Sequence, residues 1–463
     1  MDIFSALQTS VSGLQAQSYA ISNISGNIAN SQTTGYKRVD TSFIDLMAEQ
    51  TSKREVAGTV LAQAQLTNTI QGNVVASQVA TNMAINGQGF FTVVQKTGDA
   101  NGQASFGSQT TYTRRGDFSP DKDGYLVNGA GDYLQGQNMD PATGQPTSTG
   151  LIKIANSTLP AKASSTISYT ANLPASPVTA NSATTGSDLY TPKDANSAIL
   201  PTSTGTLTQV SSDDAANLVN NSIAGPAVTA YTASGAPVTV TTRWAKLQDI
   251  DTTATPAVTN SVWNLYYQSD TTASASASKW TNAGSMFTFD SAGQLTNPTG
   301  GTITIPNLTV SGTNLGPIAV NFGKTGLTQY ADATGSATTN TLTQDGYTSG
   351  TLSSVAVTAD GKINGTYSNG SVVGLASVGF ARFTNPDGLK PDTAGHYFQT
   401  ADSGSPLAGL AGSTIVGEST EQSNTDIASE FSKMIVTQQA YSANTRVMST
   451  AQTMMSDLLN VIR

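Results

Sequence analysis

Both ends of this chain carry helical heptad patterns, and roughly 400 residues separate them. At the N-terminus Phe4, Leu7, Val11, Leu14, Ile21 and Ile28 fall on one stripe spaced by fours and threes, interrupted by Ser18 and Ser25. At the C-terminus Ile427, Phe431, Met434, Tyr441, Met448, Met455, Leu459 and Ile462 follow the same repeat. Gln438, Thr445 and Gln452 are its polar interruptions. Such spacing keeps a stripe on one helical face and favours a coiled-coil seam. The chain therefore reads as a hairpin, with residues 1–30 and 427–463 paired and everything else inserted between them. Closing a flexible loop of that length costs only about 5 kcal/mol, and less when folded domains intervene.

Two ordinary amphipathic helices on a core would show the same spacing. The back of the N-terminal stripe argues otherwise. Asp2 is the only charged residue among the first 36, and the opposite face is Ser, Gln, Asn, Thr and Ala. An exposed helix face normally carries charge, so this one is expected to meet another chain or a confined space. Gly13 and Gly26 each cost the helix about 1 kcal/mol relative to Ala. Burying six apolar side chains offers about 12 kcal/mol gross. That orders the helix only if a partner surface exists, and the C-terminal helix is the obvious one.

From Gly72 the texture becomes β. "NGQGFFTVVQ" joins a turn to a strand, and "YTRRGDFSPDKDGYLVNGAGDYLQG" reads as a hairpin turning at Asp123-Gly124, with a second turn at Asn128-Gly129. Such pairs tolerate the positive φ of tight turns. The same punctuation returns at Asp345-Gly346, Asp360-Gly361, Asn369-Gly370 and Asp387-Gly388. Residues 76–140 and 340–420 are thus expected to form one inner β domain, reached through a linker or extended segment over 31–75. Residues 141–339 differ. Asp, Glu, Lys and Arg number 16 there, among low-complexity runs such as "TASASASKW". All three Trp also fall there, with candidate strands "APVTVTTRW" and "SVWNLYYQ", so an outer all-β insert of one or two subdomains is expected rather than disorder. The fold class is α+β, mostly β.

Chemistry is sparse. The chain has no Cys and one His, which removes thiol, multi-His zinc and Ser-His-Asp sites unless His396 is the base. A strand end at the surface is the expected place for His396. "DKDGYL" lacks the further ligands of a calcium loop, so a hairpin turn is expected. Arg115-Gly116-Asp117 matches an adhesion tripeptide that is common in loops. Nothing points to a carboxylate pair for glycoside chemistry. No catalytic residue, cofactor or metal is expected. A net charge of −9 argues against nucleic acid. No apolar run is long enough for membrane insertion. The start lacks the basic and apolar regions of a cleaved secretion signal.

One stretch has no chemistry and yet looks specific: "ANSQTTGYKR", with Ala29, Asn30, Thr34, Gly35, Tyr36, Lys37 and Arg38. "NIANSQTTGYKR" resembles the signature of the bacterial flagellar axial proteins, the rod and hook family. "EQSNTDIASEFSKMIVTQQAYSANTRVMSTAQTM" is similar to that family's C-terminal helix. "GFFTV", "YTRRGDFSPDKDGYLVNGAGDYLQG" and "FTNPDGLK" resemble its intervening β domain. The large insert and "LTQDGYTSGTLSSVAVTADGKINGTYSNG" are similar to hook rather than distal rod members. Two residues depart from the pattern: Thr425 stands where the family usually has Val, and Gln439 where it commonly has Arg.

The resemblance implies a structural subunit that leaves the cell through the flagellar type III export apparatus without losing a signal peptide. It would polymerise with itself into a curved hollow tube that transmits torque as a universal joint. Distal rod, hook cap and hook-filament junction proteins would be its neighbours. The terminal helices would form the inner layer, and Gly35 with its small polar neighbours a pliant joint. A distal rod subunit and a secreted adhesin using the insert to hold a ligand are the alternatives.

Overall fold

The computed structural model describes residues 3–46, 59–100, 103–154, 158–194, 197–200 and 209–461. The chain divides into two compact units, one made of Met1–Ser157 with Leu352–Arg463 and the other of Thr158–Thr351.

In the first unit the N-terminal helix spans Ile3–Ala29 and the C-terminal helix Ile427–Val461. The second contains no Gly or Pro, and the Asp426 carboxylate caps it by accepting the Ala428 N–H at 3.1 Å. The helices pack against each other, but not along the expected stripe. The buried seam of the N-terminal helix is Ser10, Gly13, Ala16, Ala20, Ile24 and Asn27. Its C-terminal counterpart buries Glu430, Thr437 and Ala451. A Cβ at Gly13 would lie 2.9 Å from Nδ2 of Asn444. Small residues let the two backbones approach closely, and the large apolar groups move to the flanks. Leu7, Leu14, Ile21, Ile28, Met434, Met448 and Met455 are half-buried, while Val11, Ile427, Phe431 and Tyr441 are exposed. Phe4 and Leu459 lie within the helices, but their side chains, like Ile462, fall outside the described residues.

The segment 31–75 is more than a linker. Val39–Leu46 and Thr59–Leu66 form an antiparallel hairpin in unbroken register from Val39↔Leu66 to Leu46↔Thr59. It covers part of the uncharged helix face. The Ser12 hydroxyl donates to the Val60 carbonyl at 2.6 Å, and Asn23 Nδ2 donates to the Thr41 hydroxyl at 3.0 Å. That face is polar but uncharged in part because the chain's own hairpin lies on it.

The largest sheet of this unit is branched. Its order runs from Leu352–Val357 through Lys362–Tyr367, Val372–Val378, Asp132–Met139, Phe90–Ala100, Thr111–Thr113 and His396–Phe398 to Lys390–Pro391. Phe90, Tyr112, Phe383 and Tyr397 pack within it at ring separations of 4.8–6.1 Å. The Asp123-Gly124 turn forms as expected, with Gly124 at φ +86°. The Asp121 carboxylate accepts the N–H groups of Asp123 and Tyr125, so it shapes the turn. Arg115 and Asp117 pair with each other at 2.8 Å, which folds the tripeptide back on itself. His396 is not at the surface. It is 4% exposed, because its ring turns inward to hydrogen-bond Asp132.

The two larger sheets of the second unit enclose its main aromatic core. One sheet is ordered Thr302–Ile305, Ile318–Asn321, Thr166–Asn172, Leu327–Thr328, with Thr338–Gln344 also on Thr166–Asn172. The other is ordered Gln209–Ser211, Ser278–Phe289, Ser261–Gln268, Pro237–Gln248, Ile223–Tyr231. Trp244, Trp263, Phe287, Phe289 and Phe322 are buried together with Ile318 and Leu327. Ser261–Gln268 is buried at every position but the last because both of its faces are covered. Trp263, Leu265 and Tyr267 enter the main core, and Tyr266 a second cluster with Tyr190 and Trp280. The junctions fall at 157/158 and 351/352 rather than at 140/141 and 339/340. The reason is pairing: Pro146–Leu151 adds to Asp132–Met139 in the first unit, and Thr338–Gln344 to Thr166–Asn172 in the second.

Candidate functional site: a clasp between the chain ends

The signature stretch ends in a buried ionic knot. Glu421 closes the strand Ser419–Glu421, which pairs with Val74–Ala76. Its carboxylate is fully buried. Oε1 accepts from Lys37 Nζ at 2.5 Å and from the Gly72 N–H at 2.8 Å. Oε2 accepts from Arg114 Nη1 at 3.1 Å. Lys37 Nζ also donates to the Ile70 carbonyl at 2.7 Å. Arg114 donates through Nη2 to the Gly87 carbonyl and lies 5.5 Å over the Phe90 ring. Two buried cations thus share one buried carboxylate. Burial pushes the Lys37 ammonium down to about 8 against the pull of Glu421. Burial likewise lowers Arg114.

A second knot sits at the helix pair. Asn27, 1% exposed, accepts the Val39 N–H at 2.9 Å and the Tyr36 hydroxyl at 3.2 Å on Oδ1. Its Nδ2 donates to the Val39 carbonyl at 3.0 Å and to Glu430 Oε2 at 2.9 Å. The other oxygen of Glu430 accepts from Lys433 Nζ at 2.9 Å, and Lys433 also reaches Asp40 at 2.8 Å. Burial lowers Lys433, but Asp40 and Glu430 outweigh it and hold the ammonium raised. Burial, then Glu430, raises the Tyr36 phenol. Asn424 joins the two knots. Its Oδ1 accepts the Arg38 N–H at 2.7 Å, and Nδ2 donates to the Thr67 hydroxyl and the Ile70 carbonyl.

The signature residues fall into place around these knots. Asn30 closes the N-terminal helix by donating from Nδ2 to the Gly26 carbonyl, just past the exposed Ala29. Thr34 is half-buried. Gly35 donates its N–H to the Glu421 carbonyl at 2.8 Å. It sits at φ +68°, and a Cβ there would lie 2.7 Å from the Arg114 carbonyl carbon. Only Gly fits, for close packing rather than for pliancy. Arg38 pairs with Asp40 at 3.3 Å. Asn27, Arg114, Glu421, Asn424 and Glu430 lie in segments that resemble the family signatures, but no local pattern marks them individually. The available signal was Lys37, the first cation in an otherwise uncharged stretch, which requires a buried anion if it is itself buried.

The arrangement ties the end of the N-terminal helix, the hairpin, the β sheet and the start of the C-terminal helix into one junction. Among the described residues no group of three or more His, Cys, Asp or Glu could hold a metal, and no helix is long and apolar enough to cross a membrane.

Comparison with known proteins follows the same layout. Family profiles match in chain order: flagella basal body rod protein over 7–37, flagellar hook protein FlgE/F/G D1 domain over 84–170, flagellar basal body protein FlaE D2 domain over 194–347, and flagellar basal body rod FlgEFG protein C-terminal over 417–461. The flagellar hook protein FlgE of Brucella abortus is 28% identical over 470 residues, covering 100% of both chains. That of Salmonella typhimurium is 28% identical over 465 residues, covering 97% of this chain and 98% of its own. The crystal structure of Helicobacter pylori flagellar hook protein FlgE2 shares the fold, with a TM-score of 0.50 at 15% identity over 74% of this chain and 98% of that one. With both clasp halves, the β domain and the insert each matched in order, and with hook proteins aligning end to end, the chain belongs to the flagellar rod and hook family, among its hook proteins.

Proposed function

We propose that this chain is the structural subunit of a bacterial flagellar hook, polymerising with itself into the curved tube that passes torque from rod to filament. The observation that carries the reading is apolar surface left over after the chain has folded. Phe431, Ile435, Val436, Val447 and Met454 of the C-terminal helix are exposed, Val436 by 65%. Phe43, Ile44 and Leu61 of the hairpin and Val11 of the N-terminal helix join them. A lone chain does not leave so many large apolar groups on one helical element and its hairpin without a partner. A second copy of the same element is the partner with matching chemistry. The stripe residues Ile427, Phe431 and Tyr441 then serve the contact between subunits, while the small-residue seam and the clasp hold each subunit's own ends together.

Export through the flagellar type III apparatus without a cleaved signal, and contact with distal rod, hook cap and hook-filament junction proteins, follow from this role. The test is electron microscopy of basal bodies from a strain lacking the chain. Complete rods without hooks are expected. Truncated rods would assign the chain to the rod, and intact hooks would overturn the reading.

A further inference from the structure

The C-terminal helix gives one side to its own chain and leaves two others bare. Glu430, Thr437 and Ala451 are buried on the side of the N-terminal helix. At about 100° per residue, the opposite ridge carries Ser432, Gln439, Arg446, Thr453 and Asp457, all of them exposed. Between seam and ridge run two uncharged flanks. One bears Ile427, Phe431 and Ile435, all exposed. The other bears Val436, Val447 and Met454, also exposed, with Ala440 and Ala443 between the two valines. The centres of the flanks lie about 150° apart round the helix axis. The hairpin sits on the side of the second flank, where Lys433 reaches Asp40 and where Phe43 and Thr437 line one groove.

The flanks are unlike in shape. The first projects an aromatic ring between two β-branched groups over little more than two turns. The second is longer and lower, because its two alanines leave a recess between Val436 and Val447. A large side chain on one helix fits a gap between side chains on another, as a knob fits a hole. Symmetry points the same way. A patch that pairs with itself closes into a two-fold dimer, whereas a polymer that keeps growing needs contact between two different patches. This helix offers one of each.

We infer that copies of this chain join head to tail through these two flanks. Phe431 of one copy, with Ile427 and Ile435 beside it, seats over Ala440 and Ala443 of a second copy, between that copy's Val436 and Val447. The inference rests on the reading of the chain as a self-polymerising hook subunit, and it adds the direction of the contact. Each C-terminal helix then touches two other copies, one on each flank. Arg446 and Asp457 stay outside both contacts, so no charge is buried on assembly.

The chain has no Cys, which makes the test direct. Hooks are isolated from cells whose full-length chain carries Phe431→Cys and Ala443→Cys together, and are then oxidised. The two positions lie about 18 Å apart along one helix, and a disulfide needs Cα atoms within about 7 Å, so no bridge forms within a chain. The double variant is expected to give a ladder of cross-linked multimers on a denaturing gel, and each single variant only monomer. A cross-linked dimer from either single variant, or a double variant that stays monomeric in assembled hooks, overturns the proposal. If the double variant builds no hooks, purified Phe431→Asp and Val447→Asp chains, both changed at exposed positions, are compared by sedimentation at high concentration. Each alone is expected to stay monomeric, and the two mixed in equal amounts to stop at dimers, because only one intact pair of flanks remains. Polymers or dimers of either variant alone, or a mixture that stays monomeric, overturns the proposal. Hooks that do not contain the chain at all would instead overturn the hook-subunit reading.

Discussion

The clasp and the core of the second unit hold the same chain together by opposite means. The core is aromatic and aliphatic, and it comes from one continuous stretch, Thr158–Thr351. Its ends meet through the Leu159↔Gly350 and Lys162↔Tyr347 bridges. The clasp is polar, and it draws on segments up to 403 residues apart, as in the bond from Asn27 to Glu430. Apolar burial is non-directional and tolerates adjustment. A buried ion set does not, because each charge depends on the geometry of its partner. The core therefore gives a unit that needs nothing outside itself. The clasp gives a junction that exists only when both chain ends are in place together.

The largest effect should come from emptying the centre of the clasp. Glu421→Ala leaves Lys37 and Arg114 buried without their anion. Breaking such a set from one side costs about 3–5 kcal/mol. Calorimetry should show the first unit melting earlier while the second unit's transition stays in place. The complementary change is Ile318→Ala in the core, where the side chain is fully buried. It should cost about 2–5 kcal/mol and move only the second unit's transition. If either substitution shifts both transitions equally, the two regions are not energetically separate and the contrast fails.

Alkaline pH sharpens the contrast further. The Lys37 ammonium is held at about 8 in the folded chain, against an ordinary 10.5. Below pH 8 both states carry the proton. Between the two values the unfolded chain holds it and the folded chain does not, so folding is favoured as pH rises through that window. The full span is worth about 3 kcal/mol. Lys37→Met removes this term and leaves Glu421 paired with Arg114. The stability of the first unit in wild type minus that in Lys37→Met should therefore grow between pH 8 and 10.5. Raised phenols such as Tyr36 and Tyr397 act above their ordinary range in both proteins and cancel in the difference. A flat difference would mean that Lys37 is not held near neutrality by burial.

The two regions were also unequally legible in sequence. The insert's strands at Pro237–Gln248 and Ser261–Gln268 could be read directly, because aromatic and β-branched runs report burial locally. The terminal helices could be read from their period, but their seam could not. A stripe of Leu, Ile and Met competes with Ser10, Gly13, Ala16 and Ala20, and periodicity weights large apolar groups. The stripe read from sequence is exposed in part, at Val11, Ile427, Phe431 and Tyr441, and the seam is what is buried. The hairpin formed by Val39–Leu46 and Thr59–Leu66 is not legible because the sequence between its strands, MAEQTSKREVAG, holds no Asn-Gly or Asp-Gly pair. The burial of His396 is not legible because a lone polar residue gives no sign of its partner, and Asp132 lies 264 residues away. Clasp residues were legible as a motif and opaque as a mechanism, since no local pattern says which distant carboxylate a buried lysine will meet.

The smallest effect tests one departure from the family pattern within the clasp. Thr425 stands between Asn424, which joins the two knots, and Asp426, which caps the C-terminal helix. Its Oγ1 is buried and makes no hydrogen bond. A buried hydroxyl without a partner is a net cost, and valine has nearly the same shape without the hydroxyl. The Thr425 backbone N–H donates to Ser423 Oγ at 3.2 Å, and this bond does not involve the Thr425 side chain, so it survives the change. Thr425→Val should therefore stabilise the first unit by about 1 kcal/mol, seen as a rise in its denaturation midpoint with an unchanged slope. The gain should persist in Ile318→Ala, since the two sites share no partner. It should shrink in Glu421→Ala, where the neighbouring backbone loses its anchor and the hydroxyl can find water. Equal gains in both backgrounds would mean that the start of the helix is held independently of the ion set, and the clasp would then be two separate fastenings rather than one.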